Sequence, residues 1–250
     1  IASLEKRFMI PIGDANPTRR FPAMNWTLIA INVVVFLYEL TLSSRQLDRL
    51  VSLWGVIPSH ILFALGHPAE TPLPVWATLI TSQFLHAGWA HIIGNMLFLW
   101  VFGDNIEDVL GHFGYLFFYL ASGVAAGIVQ AVVSGPIQIP SLGASGAIAG
   151  VLGAYIILYP WARVSILFPI FILFWTIDIP AIVVIGWWFI QQFFYGIGVL
   201  SSTAASGIAF WAHIGGFITG MLMILPFVGR VQRQRRPTTS YNQSFDDYRG

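Results

Sequence analysis

Long apolar stretches without charged residues dominate this chain and decide what it can fold into. A helix that crosses the hydrocarbon core of a bilayer needs about 20 apolar residues. The sequence predicts six such membrane-spanning helices, at residues 25–42, 86–103, 113–134, 145–159, 180–199 and 207–228. Hydrophobic residues make up 56% of the chain and charged residues only 9%, which is too few charges to cover a water-exposed surface. The predicted fold class is therefore an all-α membrane protein.

The charged residues also predict how the chain lies in the membrane. Basic residues precede the first span and follow the last one: Lys6, Arg7, Arg19, Arg20, Arg230, Arg233, Arg235 and Arg236. Because basic segments favour the cytoplasmic side, we expect both termini to be cytoplasmic and the number of spans to be even. The net charge of +1 gives no reason to expect a nucleic-acid partner, and the absence of cysteine excludes a cysteine nucleophile and thiolate metal sites.

These patterns divide the chain into three parts. Residues 1–24 are predicted to form a cytoplasmic N-terminal segment, residues 25–228 a membrane domain, and residues 229–250 a basic, disordered cytoplasmic tail. Residues 43–82 mix charges, prolines and apolar side chains, which indicates a folded loop at the membrane interface. The apolar stretch 164–179 is interrupted by prolines and Asp178, and it fits either a long fifth span or a separate membrane-embedded segment.

The fourth span is too short to cross a bilayer alone, because Pro160 ends it early. We therefore expect the preceding residues 135–144, which are rich in proline and glycine, to enter the membrane as a re-entrant loop. Non-helical backbone is tolerated at that depth only where protein or a water-filled cavity surrounds it. Ser145 would then begin its helix below the membrane surface.

Ser145 and His213 are the most informative polar residues in the predicted spans. Polar and ionisable groups at membrane depth are candidates for function, and a serine with a histidine is the minimum pair for nucleophilic catalysis. Each has a structural alternative, since Ser145 fits an N-cap in a small-residue packing motif and His213 fits a structural histidine with one partner. No carboxylate is well placed as a third member, so the sequence predicts a pair, and Glu107 and Asp108 are expected to form structural hydrogen bonds.

Small residues give a reason for the two candidate catalytic residues to meet. Gly143 and Gly146 flank Ser145, while Gly216 and Gly220 follow His213 as a GxxxG pair. Such a pair lets another helix pack at close range. If the glycine faces of the fourth and sixth spans are in contact, the hydroxyl and the imidazole lie at similar depth.

The second span carries further hydrogen-bond donors. His91 and Asn95 are four residues apart and therefore share one helix face, where they could stabilise an oxyanion or simply form hydrogen bonds between helices. His86 is predicted to face elsewhere, towards the first loop. A cavity lined by His86, His91, Asn95 and Ser141 is expected to admit water from the outer face.

The motifs together resemble the rhomboid family of intramembrane serine proteases. The similar segments, in the family's order, are His86 followed by the HxxxN motif at His91–Asn95, the GxSG motif at Gly143–Gly146, and the AHxxGxxxG motif that contains His213, Gly216 and Gly220. The resemblance implies a six-transmembrane-helix rhomboid bundle with Ser145 as nucleophile and His213 as general base. It implies an oxyanion hole of His91, Asn95 and the Ser145 backbone N–H, with His86, Ser141, Gly143, Gly146, Gly216 and Gly220 lining or supporting the site.

The sequence departs from the family pattern at two points. Some members have a tyrosine four residues after the serine, where it stacks on the histidine, and this chain has Ala149. A tryptophan–arginine pair that some members show in the first loop is not evident. Neither departure removes a catalytic group.

The resemblance also implies the partners. We expect transmembrane protein substrates within a lipid bilayer, no cofactor and no metal. The short loops and compact core indicate a multi-pass protein of the bacterial plasma membrane, with a mitochondrial or a plastid membrane as the alternatives. An inactive rhomboid-like membrane chaperone is the alternative, although such relatives typically lack the serine or the histidine. A proton-relaying transporter is a further alternative, but the chain shows no inverted repeat. The sequence gives no indication of the oligomeric state.

Overall fold

The structure is a computed structural model that describes residues 10–170, 173–200 and 209–235. It is mostly helical. In chain order its helices are α1 (Ala23–Glu39), α2 (Ser44–Trp54), α3 (Pro58–Gly66), α4 (Leu73–Thr81), α5 (Trp89–Leu110), α6 (His112–Ser134), α7 (Ser145–Leu158), α8 (Ala181–Leu200), α9 (Phe210–Ile224) and α10 (Val228–Arg235). Because α10 is helical, the described start of the predicted disordered tail is ordered as a helix, and residues 236–250 lie outside the described residues.

The described helices only partly match the expected spans. By length and composition, α6 and the segment Phe210–Val231 are long and apolar enough to cross a membrane. The segments Leu73–Phe84 and Trp89–Leu110 add a third span if they count as one, although they are bent by 83° relative to each other. Three shorter apolar helices remain, Ala23–Glu39, Ser145–Leu158 and Ala181–Phe194, so six full spans and the re-entrant loop stay predictions.

A three-stranded antiparallel sheet corrects the all-α prediction. Its strands are β1 (Ile10–Asp14), β2 (Arg163–Ile170) and β3 (Leu173–Pro180), in the order β1-β2-β3. The described residues of the apolar stretch 164–179 thus form strands and are not part of a long helical fifth span, while its placement as a separate membrane-embedded segment stays a prediction. Val164 and Ile166 of β2 are fully buried, which explains why the sequence misleads: a strand buried against a bundle has the same apolar composition as part of a membrane helix.

Helix α7 lies at the centre of the bundle and packs against α5, α6 and α9. A helix that is apolar on all sides is expected to be surrounded by protein or lipid, and most residues of α7 are buried. The closest contact joins α7 to α9 through glycines. A Cβ atom on Gly216 would overlap the carbonyl of Gly146, and one on Gly220 would overlap the backbone of Gly150. The two helix backbones can approach this closely only because these side chains are absent.

Glu107 joins the N-terminus of α1 to α5. Its carboxylate accepts hydrogen bonds from the backbone N–H groups of Met24, at 2.9 Å, and Asn25, at 2.7 Å. The first turn of a helix has unpaired N–H groups and the positive end of the helix dipole. The predicted structural hydrogen bonding of Glu107 is therefore confirmed.

The N-terminal strand is fixed to the bundle by a polar cluster around Asp14. The Asp14 carboxyl accepts hydrogen bonds from the hydroxyl of Tyr155 in α7 and from the side-chain amide of Asn105 in α5, at 3.2 Å. Asn16 donates to the same Tyr155 hydroxyl at 2.9 Å. Burial raises the pKa of Asp14 above its ordinary value, and these hydrogen bonds offset part of that effect.

The glycine contact yields a first prediction. Gly220→Ala is expected to lower the free energy of unfolding by about 1–3 kcal/mol, because the added methyl group has only the α7 backbone to displace. Thermal unfolding in detergent micelles measures the change. Gly186→Ala in α8 is the matched control, since nothing lies within 4 Å of its Cβ position; equal stability of the two variants would contradict the prediction.

A second prediction concerns pH. Because the folded pKa of Asp14 is raised, the stability that this carboxyl contributes is present at low pH and is lost as pH rises through its folded pKa. Asp14→Asn cannot ionise, so its unfolding temperature relative to the native chain is expected to increase between about pH 4 and about pH 7. Asp48→Asn in α2, whose side chain is exposed, is the control for the removal of one carboxylate. A difference that does not change with pH would exclude this role of Asp14.

Candidate active site

The hydroxyl of Ser145 and the imidazole of His213 are in hydrogen-bonding contact. The distance between Ser145 Oγ and His213 Nε2 is 2.7 Å. Ser145 is the first residue of α7 and His213 lies in the first turn of α9. The glycine contact between these two helices brings residues that are far apart in sequence to the same depth in the bundle. The pair has the geometry in which an imidazole can accept a proton from a hydroxyl.

The second ring nitrogen of His213 contacts a side chain that the sequence analysis did not identify. Gln192 Oε1 of α8 lies 2.7 Å from His213 Nδ1. The ring of Trp188, one turn earlier in α8, lies against the His213 ring with 5.6 Å between centroids. The sequence did contain a signal, because Gln191 and Gln192 interrupt an otherwise apolar helix, and polar residues at such positions usually have a partner.

His91 and Asn95 lie against the loop that precedes Ser145. A Cβ atom built on Gly143 would be 2.7 Å from His91 Nε2 and 3.7 Å from Asn95 Nδ2. His91 Nδ1 accepts a hydrogen bond from the Ala87 N–H at 3.4 Å, so a neutral ring carries its proton on Nε2, the nitrogen beside Gly143. Two side-chain donors thus lie close to Gly143, two residues before Ser145.

His86 contacts Asn95 and His91 instead of facing away from them. It precedes α5, so the predicted angle around that helix does not apply. Its Nε2 atom lies 3.0 Å from Asn95 Nδ2, and its ring lies 5.1 Å from the His91 ring between centroids. The carboxylate of Glu39 in α1 accepts a hydrogen bond from the His86 backbone N–H at 3.2 Å. His86 therefore supports the orientation of Asn95, whose amide nitrogen carries a second hydrogen that can donate to another acceptor.

The loop before Ser145 is held by the region between α2 and α5. Ser141 and Val56 form two backbone hydrogen bonds, at 2.9 and 2.7 Å, and the Gly143 N–H donates to the Ser82 carbonyl at 2.8 Å. Gly143 has φ +122°, a conformation that residues with a Cβ atom rarely adopt. The loop thus depends on glycine at this position both for its backbone angle and for space beside His91.

A cavity of about 40 Å³ adjoins Ser145. It is lined by Ser141, Gly143 and Gly146, together with Gln83 and Gln130. Of the residues expected to line a water-accessible cavity, Ser141 lines this one, and a cavity lined by His86, His91 and Asn95 stays a prediction.

The described residues contain no group of three or more histidine, aspartate or glutamate side chains arranged to bind a metal ion. The site that they form consists of a hydroxyl, three imidazoles and neutral amides. These groups can transfer protons and donate hydrogen bonds without a metal.

The chain is similar to known proteins over much of its length. A family model for the Rhomboid domain matches residues 74–230, a range that includes His86, His91, Asn95, Ser145 and His213. Rhomboid protein 1, mitochondrial, of Saccharomyces cerevisiae is 29% identical over 84% of this chain and 55% of its own length. Rhomboid protease GluP of Bacillus subtilis is 35% identical over 53% of this chain and 24% of its own length.

A human relative, Presenilin-associated rhomboid-like protein, mitochondrial, is 33% identical over 58% of this chain and 35% of its own length. In these matches the chain spans between about a quarter and just over half of the relative's length. Gln192 and Trp188 also lie within the matched range of the family model.

The position of Gly143 gives a third prediction. Gly143→Ala is expected to slow the reaction of Ser145 with a fluorophosphonate by about tenfold or more, because the added methyl group strains the backbone and displaces His91. The rate of labelling, followed by mass spectrometry, is the measurement. Gly135→Ala is the matched control, since Gly135 also has a positive φ of 73° but has nothing within 4 Å of its Cβ position. Equal rates in both variants would rule out a specific effect on His91.

Proposed function

The chain belongs to the rhomboid family, and we propose that it is an intramembrane serine protease that hydrolyses peptide bonds in or near the transmembrane segments of other membrane proteins. Ser145 is the nucleophile and His213 the general base in this proposal. The observation that supports it best is the 2.7 Å contact between Ser145 Oγ and His213 Nε2. The family includes proteins that are named as proteases.

The proposed reaction follows from where the protons can go. The Ser145 hydroxyl donates its proton to His213 Nε2 as the oxygen attacks a peptide carbonyl. The protonated imidazole then gives this proton to the leaving amine, and an acyl-enzyme remains on Ser145. Water, activated by the same imidazole, hydrolyses the ester and regenerates the hydroxyl. The small cavity beside Ser145 is large enough to hold such a water molecule.

The negative charge that develops on the carbonyl oxygen needs hydrogen-bond donors. We assign this role to the Ser145 backbone N–H, to His91 Nε2–H and to the free amide hydrogen of Asn95. Ser145 starts α7, where unpaired N–H groups and the positive end of the helix dipole favour negative charge. Donors fixed in position before the reaction usually provide the largest single contribution to catalysis of this kind.

The substrate must expose a carbonyl to be cut. Carbonyl groups in an intact helix accept hydrogen bonds from their own helix, so the substrate segment has to unwind locally before Ser145 can attack. A transmembrane segment that is easily unwound, for example one with glycine or other residues of low helix propensity, is the class of substrate that we propose.

We further propose six membrane spans with both termini in the cytoplasm of a bacterial cell. The basic residues at the two ends support this orientation. The pairing of β1 with β2 supports an even number of spans between these strands, because the N-terminal segment and the connection between α7 and α8 must then lie on the same side. Relatives named as mitochondrial make a mitochondrial membrane the alternative location.

Our fourth prediction tests the activity. Ser145→Ala is expected to abolish cleavage of a single-span membrane substrate in proteoliposomes, and His213→Ala is expected to reduce it by about a thousandfold or more, because neither variant can transfer the hydroxyl proton. Mass spectrometry of the products locates any cut. Ser52→Ala in the exposed helix α2 is the control and should cleave at the native rate.

Labelling separates the protease from an inactive rhomboid-like chaperone. A fluorophosphonate is expected to modify Ser145 in the native protein and to leave the His213→Ala variant largely unmodified. A native protein that binds membrane segments but is neither labelled nor able to cut any of a panel of single-span substrates would favour the chaperone. Cleavage that persists in Ser145→Ala would reject the assignment of the nucleophile.

A further inference from the structure

The proposed protease needs one particular form of the His213 ring. A neutral imidazole carries its single proton on Nδ1 or on Nε2, and the two forms are close in energy when nothing distinguishes them. Only the form with the proton on Nδ1 leaves a lone pair on Nε2, which can accept the proton of Ser145. In serine proteases of other folds a buried carboxylate selects this form.

The contact with Gln192 selects the same form here. The atom of Gln192 nearest to His213 Nδ1 is the amide oxygen Oε1, at 2.7 Å. A carbonyl oxygen only accepts hydrogen bonds, so Nδ1 must carry the proton. Nε2 then has its lone pair directed at Ser145 Oγ, also at 2.7 Å.

We propose that Gln192 is a positioning residue that fixes the protonated nitrogen and the orientation of His213. This inference rests on the proposed function only in its consequence for catalysis. Gln192 does not touch the reacting atoms, and it acts through the imidazole. It occupies the role of the third member for which the sequence offered no carboxylate.

Trp188 supports the same conclusion from an independent contact. It lies four residues before Gln192, so both side chains are on one face of α8. Its ring lies against the His213 ring and also near that of Phe217, at 6.5 Å between centroids. Some members of the family have a tyrosine on α7 that stacks on the histidine, but this chain has Ala149 there. The aromatic contact with His213 comes from α8 instead. One face of α8 therefore contacts both the ring plane and the Nδ1 atom of His213.

An amide suits this position better than a carboxylate for an electrostatic reason. A charged group buried in an apolar bundle is costly unless it is fully paired, whereas an amide oxygen accepts the hydrogen bond without a net charge. Because this hydrogen bond is neutral, removing the Gln192 amide should have a limited effect. A single neutral hydrogen bond has a modest net strength, so Gln192 should matter much less than Ser145 or His213.

The inference gives a fifth prediction. Gln192→Met, which has a similar shape but no amide oxygen, is expected to lower kcat for a single-span substrate by about 3- to 10-fold while KM stays within about twofold. Gln191→Met, one residue earlier in α8, is the matched control and should keep the native kcat. Gln192→Glu retains an acceptor oxygen at the same distance and should keep kcat within about threefold.

A spectroscopic measurement tests the cause separately from the activity. In protein labelled with nitrogen-15 in its histidines, the nitrogen resonances of His213 report which ring nitrogen is protonated. They are assigned by their absence in His213→Ala. We expect protonation on Nδ1 in the native protein and in the Glu variant, and a mixture of both forms in Gln192→Met.

The outcomes distinguish this inference from the proposed function. An unchanged kcat, or unchanged resonances in Gln192→Met, would overturn it, as would an equal loss of kcat in Gln191→Met. If Gln192→Met does not fold, loss of Nδ1 protonation in the Glu variant would overturn it equally. If the native protein cuts nothing but the resonances change as expected, the protease proposal fails and the role of Gln192 in orienting His213 stands.

Discussion

The contact between the backbones of α7 and α9 is the constraint on which the rest of this structure depends. Gly146 and Gly150 face Gly216 and Gly220 so closely that no Cβ atom fits at the latter two. Without water to drive apolar surfaces together, helices in a membrane associate mainly through close packing. The same contact aligns the first residue of α7 with the first turn of α9, and a hydroxyl consequently meets an imidazole.

Around this contact, several polar groups of the bundle are held by hydrogen bonds from neighbouring groups. Glu39 holds the backbone of His86, His86 accepts from Asn95, and the Ala87 N–H determines which nitrogen of His91 is protonated. Gln192 does the same for His213. Hydrogen bonds of this kind are costly to break in a medium of low dielectric constant. They keep the donors and acceptors oriented.

Much of the candidate site could be predicted because its residues carry a local signal. Ser145 and His213 stand out as polar residues among apolar ones, the glycines recur at helical spacing, and Glu107 lies where a helix terminus needs an acceptor. The partners of these residues could not be predicted in the same way. Nothing in the spacing of Glu39, His86 or Gln192 tells which atom each will contact. A buried strand such as β2 also cannot be distinguished by composition from part of a membrane helix.

The sequence by itself determined the apolar character of the chain, the family to which it belongs and the residues that we propose for acyl transfer. These properties depend on residue type and on spacing within one element. Only the tertiary structure decided that β2 pairs with the N-terminal strand β1, that His86 contacts Asn95, and that an amide from α8 contacts the imidazole of His213. Each of these contacts joins residues outside a single regular element, and close packing in three dimensions selects one set among many that the sequence allows.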